Sequence, residues 1–185
     1  MSHTPDYGKW LARASLIASL TALAIVLRFF EIPVPYIGFI KFDFSGVPLV
    51  VLALARLSYG LAALPAYYIV SVLLGADPVG MAMKVAAEVS TFIPVALLFG
   101  RLGQGRRATA ISASLAAASR TVLMALLNLV VSPHWILWAK LASTYEEALS
   151  ITLALLPGIC VFNAFAGAVV APIGIYVYRV VKSFI

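Results

Sequence analysis

Lys84, Glu88, Arg120, Asn128 and Asn163 each stand inside a stretch that is otherwise strongly apolar. Ionisable and amide side chains are costly in a hydrocarbon environment, so at such positions they face a bundle interior or a cavity. Lys84 and Glu88 are four residues apart and share one face of a helix. That spacing suits either an internal ion pair or two substrate contacts. Arg120, in the middle of its segment, suits a buried partner for a carboxylate such as Glu88. Asn128 lies two turns further along the same face, and Asn163 lies well inside the last apolar segment. A lone helical asparagine serves as interhelical glue or as a ligand contact. Two of them, on segments that could converge beneath one loop, suit a ligand site as well as they suit interhelical glue.

Other chemistries lack their residues. A phosphate-binding loop needs Gly, four residues, Gly, Lys and then Ser or Thr. The nearest stretch, 100–107 (GRLGQGRR), has arginine at both final positions and follows an apolar segment rather than a strand. The chain therefore carries no nucleotide engine of its own. His3 and His134 are far apart with no cysteine cluster, which argues against a metal site. Neither histidine accompanies a serine or cysteine as a nucleophile would require. No catalytic residue is assigned, and neither enzymatic activity nor a cofactor is expected. The single cysteine, Cys160, excludes an internal disulfide and reads as a small buried hydrophobe.

A second concentration of polarity runs over residues 28–48 (RFFEIPVPYIGFIKFDFSGVP), between two long apolar segments. Its charges are Arg28, Glu31, Lys41 and Asp43, and its prolines and glycines break regular structure. This stretch is expected to form a loop at a membrane boundary, over a small-molecule site. Tyr36, Phe39 and Phe42 offer aromatic surface on it. Lys41 and Asp43 either pair with each other or with Arg28 and Glu31 to hold the loop, or touch the ligand.

The elements that must position these groups follow from composition. The chain has 185 residues, 63% hydrophobic and 11% charged, and its mean hydropathy is +1.05. A soluble domain is about half apolar and about a quarter charged, so an all-α integral membrane protein is expected, with residues 1–185 as one transmembrane domain. A spanning helix needs about 20 mostly apolar residues. Six helices are predicted over 11–30, 46–56, 57–74, 79–99, 108–131 and 151–181, the second short for a crossing. Pro94 is a possible kink site in the fourth. The fifth is predicted to stop at Ser132-Pro133, before a less hydrophobic stretch at 134–150.

The net charge of +6 comes without a basic run beyond Arg106-Arg107. Flanks of membrane segments account for it better than nucleic-acid binding does. With six spans, one side holds Lys9, Arg13, Arg56, Arg101, Arg106, Arg107, Arg179 and Lys182. The asymmetry predicts cytoplasmic N- and C-termini in the cell membrane and places the loop at 28–48 outside. The N-terminal segment, MSHTPDYGKWLARAS, contains an acid and no small-residue cleavage site, so no removable signal peptide is expected. In the first helix Ala14, Ala18 and Ala22 recur every four residues, beside Ser15 and Ser19. Such a flat stripe lets another helix approach closely, in this chain or in a partner.

At these residues the chain resembles the substrate-binding S components of energy-coupling factor (ECF) vitamin transporters, most closely the riboflavin-binding member. The likeness lies in Leu27-Arg28-Phe29-Phe30, Ile32-Pro33-Val34-Pro35 and Lys41-Phe42-Asp43-Phe44-Ser45-Gly46-Val47-Pro48. It continues in Ala87-Glu88-Val89-Ser90-Thr91-Phe92, Leu126-Leu127-Asn128 and Phe162-Asn163. The resemblance implies a six-helix module that binds a vitamin at its outer side. It implies docking through the Ala14/Ala18/Ala22 stripe onto a transmembrane coupling (T) protein driven by two ABC ATPases, where ATP is hydrolysed. Asn128 and Asn163 match positions that hydrogen-bond the flavin ring system. Lys41, Asp43, Glu88 and Thr91 complete the expected substrate-binding set with Tyr36, Phe39 and Phe42. Two positions depart from the pattern: Ala166 stands where the riboflavin member has lysine, and Thr91 where asparagine is usual. Riboflavin is the first expectation for the ligand. The alternatives are another vitamin or a modified base on the same scaffold, or a non-transport structural or assembly protein.

Overall fold

A computed structural model describes residues 7–34, 40–103 and 105–183. Among them six α-helices form one bundle. They are α1 (Tyr7–Arg28), α2 (Gly46–Ala55), α3 (Leu57–Leu73), α4 (Pro78–Leu102), α5 (Arg106–Trp138) and α6 (Tyr145–Val181). Four of them, α1, α4, α5 and α6, are long and apolar enough to cross a membrane. Between α1 and α2 lies a two-residue antiparallel ladder, β1 (Ile32–Pro33) and β2 (Lys41–Phe42), that pairs Ile32 with Phe42 and Pro33 with Lys41. The stretch expected as plain loop thus contains a narrow hairpin base. Tyr36 and Phe39 lie outside the described residues.

The helix breaks have local causes. At Arg56 the backbone is extended (φ −164°, ψ 129°), which separates α2 from α3. Asp77 caps α4 by accepting from the Gly80 amide, with Pro78 opening the helix, as its fixed φ and missing N–H favour. Thr144 caps α6 by accepting from the Glu147 amide at 3.2 Å, while Glu147 accepts from the Ser143 amide at 2.8 Å. This Thr-x-x-Glu pattern is a capping box displaced by one residue. It starts α6 at Tyr145, ahead of the predicted 151. The fifth helix also differs from expectation, because α5 runs through Pro133 to Trp138. Proline deletes one backbone donor there, and the helix continues past it. It is closed just beyond its end by Lys140, whose φ of 58° is left-handed, as amides 140 and 141 turn back to the carbonyls of Leu137 and Ile136, a helix-terminating motif.

The core gathers around α2. Its residues Gly46 through Ala53 are all buried, the mark of a helix that is apolar all round and enclosed by protein. α2 packs on α6, α3, α4 and α1, while α5 and α6 share the most extensive interface. That interface is close: a Cβ on Gly167 would stand 2.7 Å from the Ala117 backbone. Tyr67 of α3 is fully buried, and its hydroxyl shares a 2.7 Å hydrogen bond with Ser45 Oγ at the head of α2.

Candidate functional site

At the end of the bundle where α1, α3 and α5 finish, a cavity of about 580 Å³ opens between α4, α5, α6 and the hairpin base. Its size falls within the range usual for small-molecule sites, about 300–1,000 Å³. α5 supplies one long wall with Arg120, Met124, Asn128, Val131, Ser132 and Trp135. From Arg120 to Trp135 the wall runs about 22 Å at 1.5 Å per residue. The aromatic and sulfur-bearing surface comes from Phe29, Met81, Met83, Met124, Trp135 and Phe162. Such apolar walls with a few placed polar groups suit a partly aromatic ligand.

The innermost polar group is a buried network. Arg120 Nη1 donates to Glu88 Oε1 and to Thr91 Oγ1, each at 3.2 Å, and Arg120 Nε donates to Asn163 Oδ1 at 3.2 Å. The second Glu88 oxygen, Oε2, is buried with no hydrogen-bond partner. It lies against the first residue of α2, where a Cβ on Gly46 would overlap it. Only glycine leaves room for the carboxylate there. The placement also sets negative charge beside a helix N-terminus, a favourable arrangement.

Further along α5, Asn128 Nδ2 donates to the Met124 carbonyl at 2.7 Å, and Asn128 Oδ1 accepts from Ser132 Oγ at 2.8 Å. Asn163 Nδ2 donates to the Ile159 carbonyl at 2.8 Å. Both amides are nearly buried, at 8% and 3% exposure, and both line the cavity. Each amide nitrogen carries two N–H donors and commits one to its own helix, so a donor remains at each for a ligand.

Near the mouth the charges pair across elements. Lys41 Nζ reaches Glu31 Oε2 at 2.5 Å, with Arg28 Nη1 3.9 Å from Glu31 Oε1. Asp43 Oδ2 takes Lys84 Nζ at 2.7 Å, and Asp43 Oδ1 accepts from the Ser45 amide at 2.8 Å. Lys41 and Asp43 therefore do not pair with each other. Lys84 and Glu88 share a helix face yet do not pair either: Lys84 turns to Asp43 and Glu88 to Arg120.

The structure brings Lys41, Asp43, Asn128 and Asn163 to the cavity wall and sets Glu88 and Thr91 behind Arg120. Phe42 is turned inward, edge-on to Phe44 at 5.0 Å and tilted against Phe165 at 5.6 Å. It is a packing residue under the hairpin and does not line the cavity. Trp135 and Phe162 do line it and were not anticipated. Trp135 follows from the continuation of α5, and Phe162 from its place beside Asn163. Of the small-residue stripe, Ala18 and Ala22 are exposed with Ser15 and Ser19, and Ala14 is half-buried. The stripe faces away from the chain's own helices. Among the described residues no group of histidine, cysteine and carboxylate side chains is arranged to hold a metal ion.

A scan of protein-family models finds no match. Over 179 aligned residues the chain is 30% identical to the riboflavin transporter FmnP of Bacillus subtilis (strain 168), covering 92% of each protein. Its fold is similar to the solved S component of a bacterial ECF transporter, with a TM-score of 0.76 at 21% identity, over 95% of this chain and 98% of that one.

Proposed function

The chain belongs to the family of substrate-binding S components of ECF vitamin transporters, to which it is joined by its likeness to FmnP, and from that premise we propose that it captures riboflavin. The observation that carries this is the cavity itself: two nearly buried asparagines with donors to spare face a chamber walled by Trp135, Phe162 and methionines. A flat, amphipathic heterocycle fits such walls, and the amides fix its edge. Riboflavin fluorescence decides the matter. Titrating purified protein in detergent should give saturable quenching with nanomolar affinity, and no quenching at micromolar protein would overturn the assignment.

A second reading keeps the scaffold and changes the vitamin. Ala166 offers no polar contact, and Thr91 is already committed to Arg120. A thermal-shift panel of vitamins and modified bases separates the two, since the true ligand raises the melting temperature most. Mass spectrometry of any copurifying ligand is an independent check.

Transport would be driven elsewhere. The exposed Ala18 and Ala22, with half-buried Ala14, suit a close-packed helix of a transmembrane coupling protein. Two ABC ATPases bound to that protein would hydrolyse the ATP, and this chain would need no cofactor. Lys9, Arg13, Arg56, Arg101, Arg106, Arg107, Arg179 and Lys182 belong to the bundle end opposite the cavity. By the positive-inside bias that end, with both termini, would be cytoplasmic. Reporter fusions at the C-terminus test this orientation.

A further inference from the structure

Arg120 has five N–H donors and no acceptor. Nε gives its one to Asn163, and Nη1 gives its two to Glu88 and Thr91. Nη2 makes no hydrogen bond among the described residues, although the residue is only 5% exposed and lines the cavity. Two strong donors thus lie at the inner end of the chamber, on a group that three neighbours hold in place. The buried partnerless side-chain atoms of the described residues do not include Nη2, so it opens onto the cavity, where a bound acceptor would meet it.

We propose that Arg120 is a ligand-contacting, specificity-determining residue, whose Nη2 donates to a neutral acceptor on a planar heterocycle, a ring carbonyl oxygen. The inference rests on the riboflavin reading and deepens it. The neutrality of the acceptor follows from Glu88. Its carboxylate already offsets the guanidinium charge at 3.2 Å, so a ligand carboxylate or phosphate would bring an uncompensated negative charge beside Glu88. A carbonyl brings none and still accepts. The position fits an edge-on heterocycle. Asn163 is fixed to Arg120 through its Oδ1, and Asn128 stands two turns outward, about 12 Å along the helix axis. Ala166, buried and apolar, adds no polar group on the facing α6 surface. Arg120 is then the strongest donor available to the ligand at this depth.

The test pairs protein variants with ligand analogues. Arg120→Met combined with Glu88→Gln removes both charges together, so neither partner is left as an unpaired buried ion. Arg120→Lys keeps the charge opposite Glu88 and loses the second terminal nitrogen, and it serves where the double variant fails to fold. Affinities for riboflavin, 2-thioriboflavin and 4-thioriboflavin are measured by fluorescence or by equilibrium dialysis. Losing a charged-donor hydrogen bond corresponds to roughly ten- to a hundredfold in affinity. Both variants should therefore bind riboflavin at least about tenfold more weakly. Wild type should discriminate against the thio analogue whose weaker sulfur acceptor replaces the contacted oxygen, and equal binding of both analogues would overturn the inference. The variants should lose that discrimination. A merely structural arginine would alter melting temperature and leave the relative affinities for the analogues untouched. Wild-type affinity for riboflavin in the folded variants would overturn this inference alone. Absence of riboflavin binding by wild type would overturn the riboflavin reading and this inference together.

Discussion

Lys84 Nζ lies 2.7 Å from Asp43 Oδ2, so that α4 is tied to the segment just ahead of α2. The same Asp43 carboxylate holds the Ser45 amide with its other oxygen. Its side chain is 2% exposed and that of Lys84 is 20%. One carboxylate therefore fixes both a cavity wall and the start of the central helix. Replacing Lys84 with methionine strands that charge. The expected loss is about 2 kcal/mol of stability, read as a lower melting temperature in detergent, together with weaker riboflavin binding. Adding Asp43→Asn should recover most of the stability, and a double-mutant cycle measures the coupling.

Gly46→Ala should be more damaging than its size suggests. The new Cβ would overlap Glu88 Oε2 and stand 2.9 Å from Val170 Cγ1, forcing the carboxylate away from Arg120. Overpacking of this kind costs about 1–3 kcal/mol. Gly100 is the control, since nothing lies within 4 Å of its added Cβ. Inside α4, Gly100→Ala should raise stability by up to about 1 kcal/mol. Thermal unfolding of the two variants side by side checks the contrast.

The two asparagines should separate under alanine substitution. On the proposed reading Asn128→Ala removes a ligand donor, and it leaves only half-buried Ser132 without its acceptor. Riboflavin affinity should fall by about tenfold with little change in melting temperature. Asn163→Ala also strips the acceptor from Arg120 Nε, so both affinity and melting temperature should drop. Parallel titration and thermal unfolding distinguish the outcomes, and a purely thermal effect at Asn128 would count against its role in binding.

Ala18→Leu and Ala22→Leu should leave riboflavin affinity unchanged, because both residues are exposed on α1 away from the cavity. Copurification with a coupling protein should be lost, since a bulky side chain prevents close helix approach. Retained copurification would place the docking surface elsewhere.

Much of this architecture was legible because membrane helices declare themselves by long apolar runs. The α2–α3 break at Arg56 was placed to within a residue. Pro133 misled for a physical reason: it deletes one donor, and that alone did not end a 33-residue helix. The cost of that error was Trp135. The Thr144–Glu147 cap was readable and gives the true start of α6. Ion pairing was only half legible. Helical spacing shows that Lys84 and Glu88 share a face, but each found its partner across the bundle. Arg120 with Glu88 could be anticipated, as both sit deep in apolar segments. The open Nη2 could not, because it depends on where three neighbours fall in space.

The short, fully enclosed α2 bears on how the protein meets bilayers of different thickness. At 10 residues it is about 15 Å long, half the roughly 30 Å hydrocarbon core, and protein rather than acyl chain surrounds Gly46 through Ala53. α5 and α6, with 33 and 37 residues, overshoot that core and answer mismatch by tilting. Lipid length therefore pulls on the outer staves and not on the peg that seats Glu88. Riboflavin affinity should accordingly vary little between short- and long-chain lipids.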